Sequence, residues 1–218
     1  MTILFYYLRN ISSEGVYVSD IKAVIFDWGG VLIDDPAPGL MKYCAKELGV
    51  IQQDYTQAHS MFQDDFQKGT IAEKTFWQNI CSQLNVSLPK SQSLWTDAFT
   101  DVYSPKTEVF DLVKTLKASG YKIGFLSNTE MPCYDFFHKQ GYDMFDVTLF
   151  SCCEKLIKPS EQIYLNTVER LKIQPGQAVF IDDKTEYIKG AKKAGLNTIL
   201  FENVTNVKQQ LVLLGVEL

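Results

Sequence analysis

The chain of 218 residues is 46% hydrophobic and 22% charged, with a net charge of −5, the profile of an ordinary globular protein with room for one sizeable core or a core domain carrying a modest insertion. The acidic balance excludes a general nucleic-acid binder, which needs a basic stripe to displace counterions, and no segment approaches the roughly 18–20 apolar residues of a membrane span. The five cysteines (Cys44, Cys81, Cys133, Cys152, Cys153) lack metal-type spacing and read as reduced thiols of a cytoplasmic protein, with the vicinal pair Cys152-Cys153 as small buried residues.

At the start, Ile3 to Leu8 is apolar but too short to span a bilayer, and no basic n-region or small-residue cleavage site accompanies it. Residues 1–20 are either an extra strand or an over-extended start ahead of a natural beginning near Val18, an extension of open role. The run Lys22-Ala-Val-Ile-Phe-Asp27-Trp-Gly-Gly-Val31 then reads as a strand buried on both faces that delivers one carboxylate to the edge of the core. A Gly-Gly pair follows Asp27, and Gly29 stands where a partner acid would be expected.

Residues 36–104 carry helical patterns only, at Leu40–Leu48, Tyr55–Gln67, Ile71–Leu84 and Ser91–Val102, opened by Pro36 and Pro38. This predicts an all-helical insertion that leaves and returns near Asp27, in the position of a lid. From residue 105 the pattern alternates. Helices are expected over Thr107–Ser119, Pro132–Gln140, Ser160–Leu171, Tyr187–Ala194 and Asn206–Leu214, and strands over Tyr121–Leu126, Val147–Cys152, Ala178–Ile181 and Asn197–Phe201. Such alternation implies an α/β fold, a Rossmann-like parallel sheet with helices on both faces, built from residues 21–35 and 105–218.

Chemistry-bearing residues recur where strands end. Ser127 and Asn128 follow the strand closing at Leu126; Lys158 stands before Pro159 at a helix start; Asp182 and Asp183 follow the strand AVFI. Read alone, Ser127 is a turn residue and Lys158 a solvated one. Adjacent carboxylates repel unless a cation or hydrogen-bond donors satisfy them, which favours a metal site at Asp182-Asp183. Taken in order, FDWGGVL, LSNT, KPSEQIY and IDDKTEYIKGAKKAGL resemble the haloacid dehalogenase superfamily of hydrolases over residues 21 to about 202. They come nearest its sugar-phosphate phosphatase and epoxide-hydrolase N-terminal-domain branch, with the helical insertion in the place of that superfamily's small cap.

The resemblance implies a Mg2+-dependent phosphatase acting on a small phosphorylated metabolite, with sugar phosphates among the candidates. Asp27 would be the nucleophile, forming an aspartyl-phosphate, and Lys158 would pair with it and with the transferring group. Ser127, Asn128 and the backbone at Gly29 would hold phosphate oxygens. Mg2+ would be held by Asp27, Asp183 and the Gly29 carbonyl, with Asp182 bound directly or through water.

Two departures matter. Gly29 lacks the acid/base carboxylate usual in the superfamily, a group typically worth about 10²–10⁴-fold, which points to leaving groups needing little help, such as acyl or anomeric phosphates. Tyr187 replaces a polar residue of the fourth motif, which thins the expected shell around the metal, and Glu186 reads as a solvated residue at a helix start. A phosphomutase is disfavoured by Gly29. A metal-free dehalogenase is disfavoured by the acidic pair, and by the lack of an aromatic residue at position 29. The alternative is a catalytically silent relative that binds a phosphorylated ligand or a protein partner. A Ser-His-Asp hydrolase is disfavoured because His59 and His138 read as exposed or core-edge residues within helical patterns. Trp28 either lines the pocket or packs on the sheet, and Trp77 and Trp95 read as packing residues. Oligomeric state is not legible.

Overall fold

The computed structural model describes residues 11–12, 15–16 and 20–218. Within the N-terminal extension, β1 (Ile11–Ser12) pairs antiparallel with β2 (Gly15–Val16); the rest of residues 1–19, whose role the sequence leaves open, lies outside the described residues.

The domain that follows alternates as its apolar pattern requires. After β3 (Ala23–Phe26) come α1 (Ala37–Leu48), α2 (Gln52–Gln67), α3 (Glu73–Leu84), α4 (Leu94–Val102) and α5 (Thr107–Ala118). Then follow β4 (Lys122–Ser127), α6 (Met131–Lys139), β5 (Val147–Phe150), α7 (Ser151–Glu154) and α8 (Glu161–Arg170). A 3-10 turn leads into β6 (Ala178–Asp182), α9 (Thr185–Lys193), β7 (Asn197–Leu200) and α10 (Val204–Leu213). The five strands from β3 onward form one parallel sheet of order β5-β4-β3-β6-β7. Winding proceeds from β3 to one edge and then from β6 to the other. The switch point therefore lies between β3 and β6, where open α/β sheets form a crevice outside their carboxyl ends.

Strand β3 is buried along its whole length because both faces are covered. Val24 and Phe26 join the cluster built with Val109, Val113 and Leu116 of α5 and Leu211 of α10, while Ala23 and Ile25 join the one built with Ile163, Tyr164 and Val168 of α8 and Ala191 of α9. The period-2 alternation of a strand separates the two clusters. Helices α1–α4 extend the first cluster: Phe66 stacks on Phe76 at 4.2 Å, and Trp28 meets Phe99 at 5.0 Å.

Several boundaries differ from expectation for local reasons. The strand expected over Val147–Cys152 stops at Phe150, because the Ser151 hydroxyl bonds outside the sheet, donating to the Gln67 carbonyl (2.6 Å) and accepting from the Thr129 N–H (2.8 Å). Helix α1 starts at Ala37 rather than Leu40, since Pro36 at its cap and Pro38 in its first turn sit where a missing N–H costs nothing. Helix α4 starts at Leu94 because Ser93 caps it, its hydroxyl accepting from the Thr96 N–H. Among the described residues, no helix is long and apolar enough to cross a membrane.

Candidate active site

Register brings the first two acids together. Phe26 of β3 lies opposite Ile181 of β6, so Asp27 and Asp182 leave the sheet side by side. Both are buried, and two neighbouring carboxylates in that setting require a cation. Lys158, in the loop before α8, supplies it: Nζ lies 2.7 Å from Asp27 Oδ1 and 2.7 Å from Asp182 Oδ2, with its side chain fully buried. The ammonium also donates to the Leu126 carbonyl at 3.3 Å. Burial alone would lower the Lys158 pKa, but Asp27 and Asp182 outweigh it and hold the ammonium charged. Burial raises the pKa of Asp182, Lys158 opposes the rise, and Asp27 adds to it; the net shift is upward.

The lysine is braced from outside. Asn128 Nδ2 donates to the Lys158 carbonyl (3.1 Å) and to the Tyr187 hydroxyl (3.3 Å), while Asn128 Oδ1 accepts from the Lys158 N–H (2.8 Å). The Asn128 side chain is thus engaged with the lysine loop, and the residue lines the cavity. Tyr187, expected to thin the metal's surroundings, instead lays its ring against Lys158 Nζ, 4.7 Å from the centroid. Ser127 is buried at the end of β4 and lines the same cavity as Asp27 and Lys158.

The two acids after β6 are not equivalent. Asp182 has both oxygens engaged, by Lys158 and by the Lys184 N–H (2.8 Å). Asp183 has a buried Oδ1 without a hydrogen-bond donor. Asp27, Asp182 and Asp183 each offer a carboxylate oxygen, all within 4.8 Å of one another. Hard oxygens converging in this way, one lacking any donor, fit a cation such as Mg2+. Gly30 permits the arrangement: its φ is +85°, and a Cβ there would lie 2.3 Å from Asp183 Oδ2. Gly29 has a different reason to lack a side chain, since a Cβ would meet Pro36 Cδ at 3.0 Å.

A cavity of about 310 Å³ opens beside these groups, lined also by residues of α1, α2 and α4. Three of its residues escaped the sequence reading. Glu130, at the start of α6, is buried and accepts from Gln67 Nε2 (3.0 Å) and Trp95 Nε1 (3.2 Å); burial pushes its carboxyl pKa up. It stands three residues after Ser127, but an acid before a helix is commonplace and carried no separate signal. Lys184 lines the cavity; burial would lower its pKa, but Tyr187, Asp27 and Asp183 outweigh burial and hold it charged. His59, expected to be exposed or at the core edge, is buried in the cavity wall with its ring stacked on Trp95 at 5.4 Å, because α2 packs that face against α3 and α4. His138 is exposed. Trp28 both packs on the sheet side, 5.8 Å from Phe125, and lines the cavity; Trp95 lines it too, whereas Trp77 serves packing.

The family model described as haloacid dehalogenase-like hydrolase matches residues 21–195. Mouse "Acyl-CoA dehydrogenase family member 10" is 28% identical over 214 residues, 89% of this chain but 19% of that protein, so the chain spans about a fifth of that relative's length. The "D-ribitol-5-phosphate phosphatase" of Bacteroides thetaiotaomicron is 25% identical over 215 residues, 89% of this chain and 98% of the enzyme. Among solved structures, a HAD family enzyme of Bacteroides thetaiotaomicron in complex with magnesium and inorganic phosphate superposes with a TM-score of 0.71 at 24% identity, covering 86% of this chain and 98% of that one. A predicted HAD-like family hydrolase from Porphyromonas gingivalis gives a TM-score of 0.73 at 21% identity, covering 91% and 100%. At these identities the structural likeness speaks for the fold.

Proposed function

The chain belongs to the haloacid dehalogenase-like hydrolases, and we propose that it is a Mg2+-dependent phosphatase of a small phosphorylated metabolite, a sugar phosphate among the candidates, working through an aspartyl-phosphate on Asp27. The observation that carries this reading is Lys158, whose ammonium sits 2.7 Å from both Asp27 and Asp182 at the mouth of the sheet crevice. A silent relative has no need to keep a buried charge triad poised on a cavity, because such a triad is a weak source of stability.

In this reading the core comprises residues 21–35 and 105–218, and residues 36–104 act as a cap over the site. An Asp27 carboxylate oxygen attacks phosphorus as the bond to the leaving oxygen breaks, and water then attacks the phosphorus of the aspartyl-phosphate to release inorganic phosphate. Lys158 pairs with Asp27 and orients it, and Ser127 with the neighbouring backbone N–H groups holds phosphoryl oxygens. Mg2+ would be held by Asp27, Asp183 and the Gly29 carbonyl, with Asp182 fixing the lysine, and it would neutralise phosphoryl charge. With no carboxylate at Gly29, the leaving oxygen takes its proton from water or departs as a stabilised anion, so acyl and anomeric phosphates are the preferred substrates. The proposal includes a cytoplasmic setting, where thiols stay reduced.

The test is hydrolysis of p-nitrophenyl phosphate with and without Mg2+, beside Asp27→Asn. Metal-dependent turnover in the native protein and a loss of at least about 10³-fold in the variant are expected. Turnover that survives in the variant, or none in either protein, overturns the reading and leaves the silent relative.

A further inference from the structure

Lys106 does not line the cavity and takes no part in the chemistry above, yet its side chain is only 24% exposed and its ammonium is aimed at the catalytic turn. Nζ lies 2.7 Å from the Gly30 carbonyl oxygen, 4.0 Å from Asp34 Oδ1 and 4.9 Å from the centre of the Phe201 ring. Each contact belongs to a different part of the frame around the site. Gly30 is in the turn after β3, and Asp34 is on the way out to the cap. Phe201 follows β7, where its N–H donates to the Asp182 carbonyl at 2.9 Å. The exit to the cap and the return from it are joined at the same point: Asp34 N–H donates to the Ser104 carbonyl and Lys106 N–H to the Leu32 carbonyl, both at 2.9 Å.

The turn is closed by its own backbone except at one place. The Trp28 carbonyl accepts from the N–H groups of Val31 (3.2 Å), Leu32 (2.9 Å) and Ile33 (3.0 Å), and Gly30 N–H donates to the Ile33 carbonyl (2.9 Å). Gly30 has a φ of +85° and no side chain to restrain the peptides on either side of it. Ile33 holds the peptide before it, and Lys106 holds the carbonyl of the peptide after it. Among the described residues, this is the one side-chain hydrogen bond to the backbone of residues 27–33. Both peptides bear on the metal ligands. The one before Gly30 is trans, so an N–H directed at Ile33 sends the Gly29 carbonyl, which the proposed Mg2+ site uses, the opposite way. Gly30 itself backs Asp183, whose Oδ2 lies 2.3 Å from where a Cβ would stand.

We infer that Lys106 is a positioning residue for metal binding: through the Gly30 carbonyl it holds the turn that presents the Gly29 carbonyl and backs Asp183, and so ties the cap's return to the metal ligands. The inference rests on the Mg2+-dependent reading for the identity of the ion and adds what keeps its ligands in place. The sign of the effect separates positioning from charge. By charge alone an ammonium on this turn opposes the binding of a dication, so removing it would tighten the site, whereas loss of a group that orients ligands weakens it, typically by 10–100-fold.

The test is calorimetric titration of the metal-free protein with Mg2+, with no turnover involved. Lys106→Met, which keeps the stem over Phe201 but has no donor, is expected to raise the Mg2+ Kd about tenfold or more. Lys106→Arg, which restores a donor, should return it to within about threefold of native. Lys114→Met, which removes an exposed lysine from the same helix, should leave it unchanged. Hydrogen exchange gives a second reading without metal: the Val31 amide, in the peptide that Lys106 holds, should exchange several-fold faster in Lys106→Met. An unchanged or tighter Kd in Lys106→Met, an arginine variant as weak as the methionine one, or an unaltered Val31 amide overturns the inference. Native binding that no Lys106 variant shifts overturns this inference alone, whereas a native protein that binds no Mg2+ strikes the phosphatase reading as well.

Discussion

At the carboxyl edge of the sheet, Asp27, Asp182 and Lys158 are charged and bound to one another; in α1, α2 and α4, the side chains lining the same cavity are uncharged. The first region rests on three rigid strand ends and one lysine, with no freedom to reorganise when charge develops, which is the condition for electrostatic catalysis. The second rests on a stacked aromatic cage of Phe66, Phe76 and Trp95 that positions hydrogen-bonding edges without neutralising them. The two regions are thus built by different physical means, charge pairing on the sheet and packed neutral side chains on the helices. Glu130, on the sheet side but bonded to Gln67 and Trp95, is where the two regions meet.

If the sheet edge is a single charge-balanced unit, removing its cation should have the largest effect of any single change outside the nucleophile. Lys158→Met leaves Asp27 and Asp182 buried side by side without a counter-ion. We expect a loss of about 3–5 kcal/mol in urea denaturation and of at least about 10²-fold in kcat, the scale of removing one fixed charge stabiliser. A variant as stable as the native protein would mean that the two acids share a proton instead of a lysine. A smaller effect is expected at Gly30→Ala. The left-handed φ of +85° costs a side chain roughly 1–3 kcal/mol, and the new Cβ, 2.3 Å from Asp183 Oδ2, must displace that carboxylate. The readout that matters is the Mg2+ concentration for half-maximal activity, which should rise several-fold. An unchanged Mg2+ requirement would remove Asp183 from the metal set.

The sheet edge was legible in the sequence because its residues follow apolar runs or open a helix. Asp27, Ser127 and the Asp182-Asp183 pair each end a strand, so the alternation that gives the fold also gives their positions. What alternation does not give is which oxygen is free. The difference between Asp182 and Asp183 depends on the Lys184 N–H, and the role of Asn128 depends on a loop 30 residues away. The cap side was opaque for the same reason on a larger scale. Glu130 and Gln67 are 63 residues apart, and Ser151 ends its strand early by bonding a carbonyl 84 residues away. His59 carries no local mark of burial, since the four other residues that α2 turns to the cavity, Thr56, Ser60, Gln63 and Gln67, are all polar. Only the packing of α2 on α3 and α4 turns that face inward.

That packing makes a prediction about acid, the smallest of the three effects. His59 is surrounded by Tyr55, Phe76 and Trp95, with Glu130 reached through Trp95, and no carboxylate bonds it directly. Burial lowers its pKa from 6.5 to about 4. Between those values the unfolded chain holds a proton that the folded chain does not. The contribution is therefore fully present above pH 6.5 and is lost as pH falls towards 4. From pH 7 to pH 5 the native protein should lose about 2 kcal/mol more stability than His59→Phe, which keeps the stack on Trp95 and has nothing to protonate. Glu130, with its pKa raised by burial, contributes in the opposite sense but is common to both proteins, so the difference between their urea midpoints isolates His59. Parallel pH profiles would show that the ring takes up a proton in the folded state, and a cationic His59 would reverse the neutral character of the cap side and open the cavity to a second anionic group.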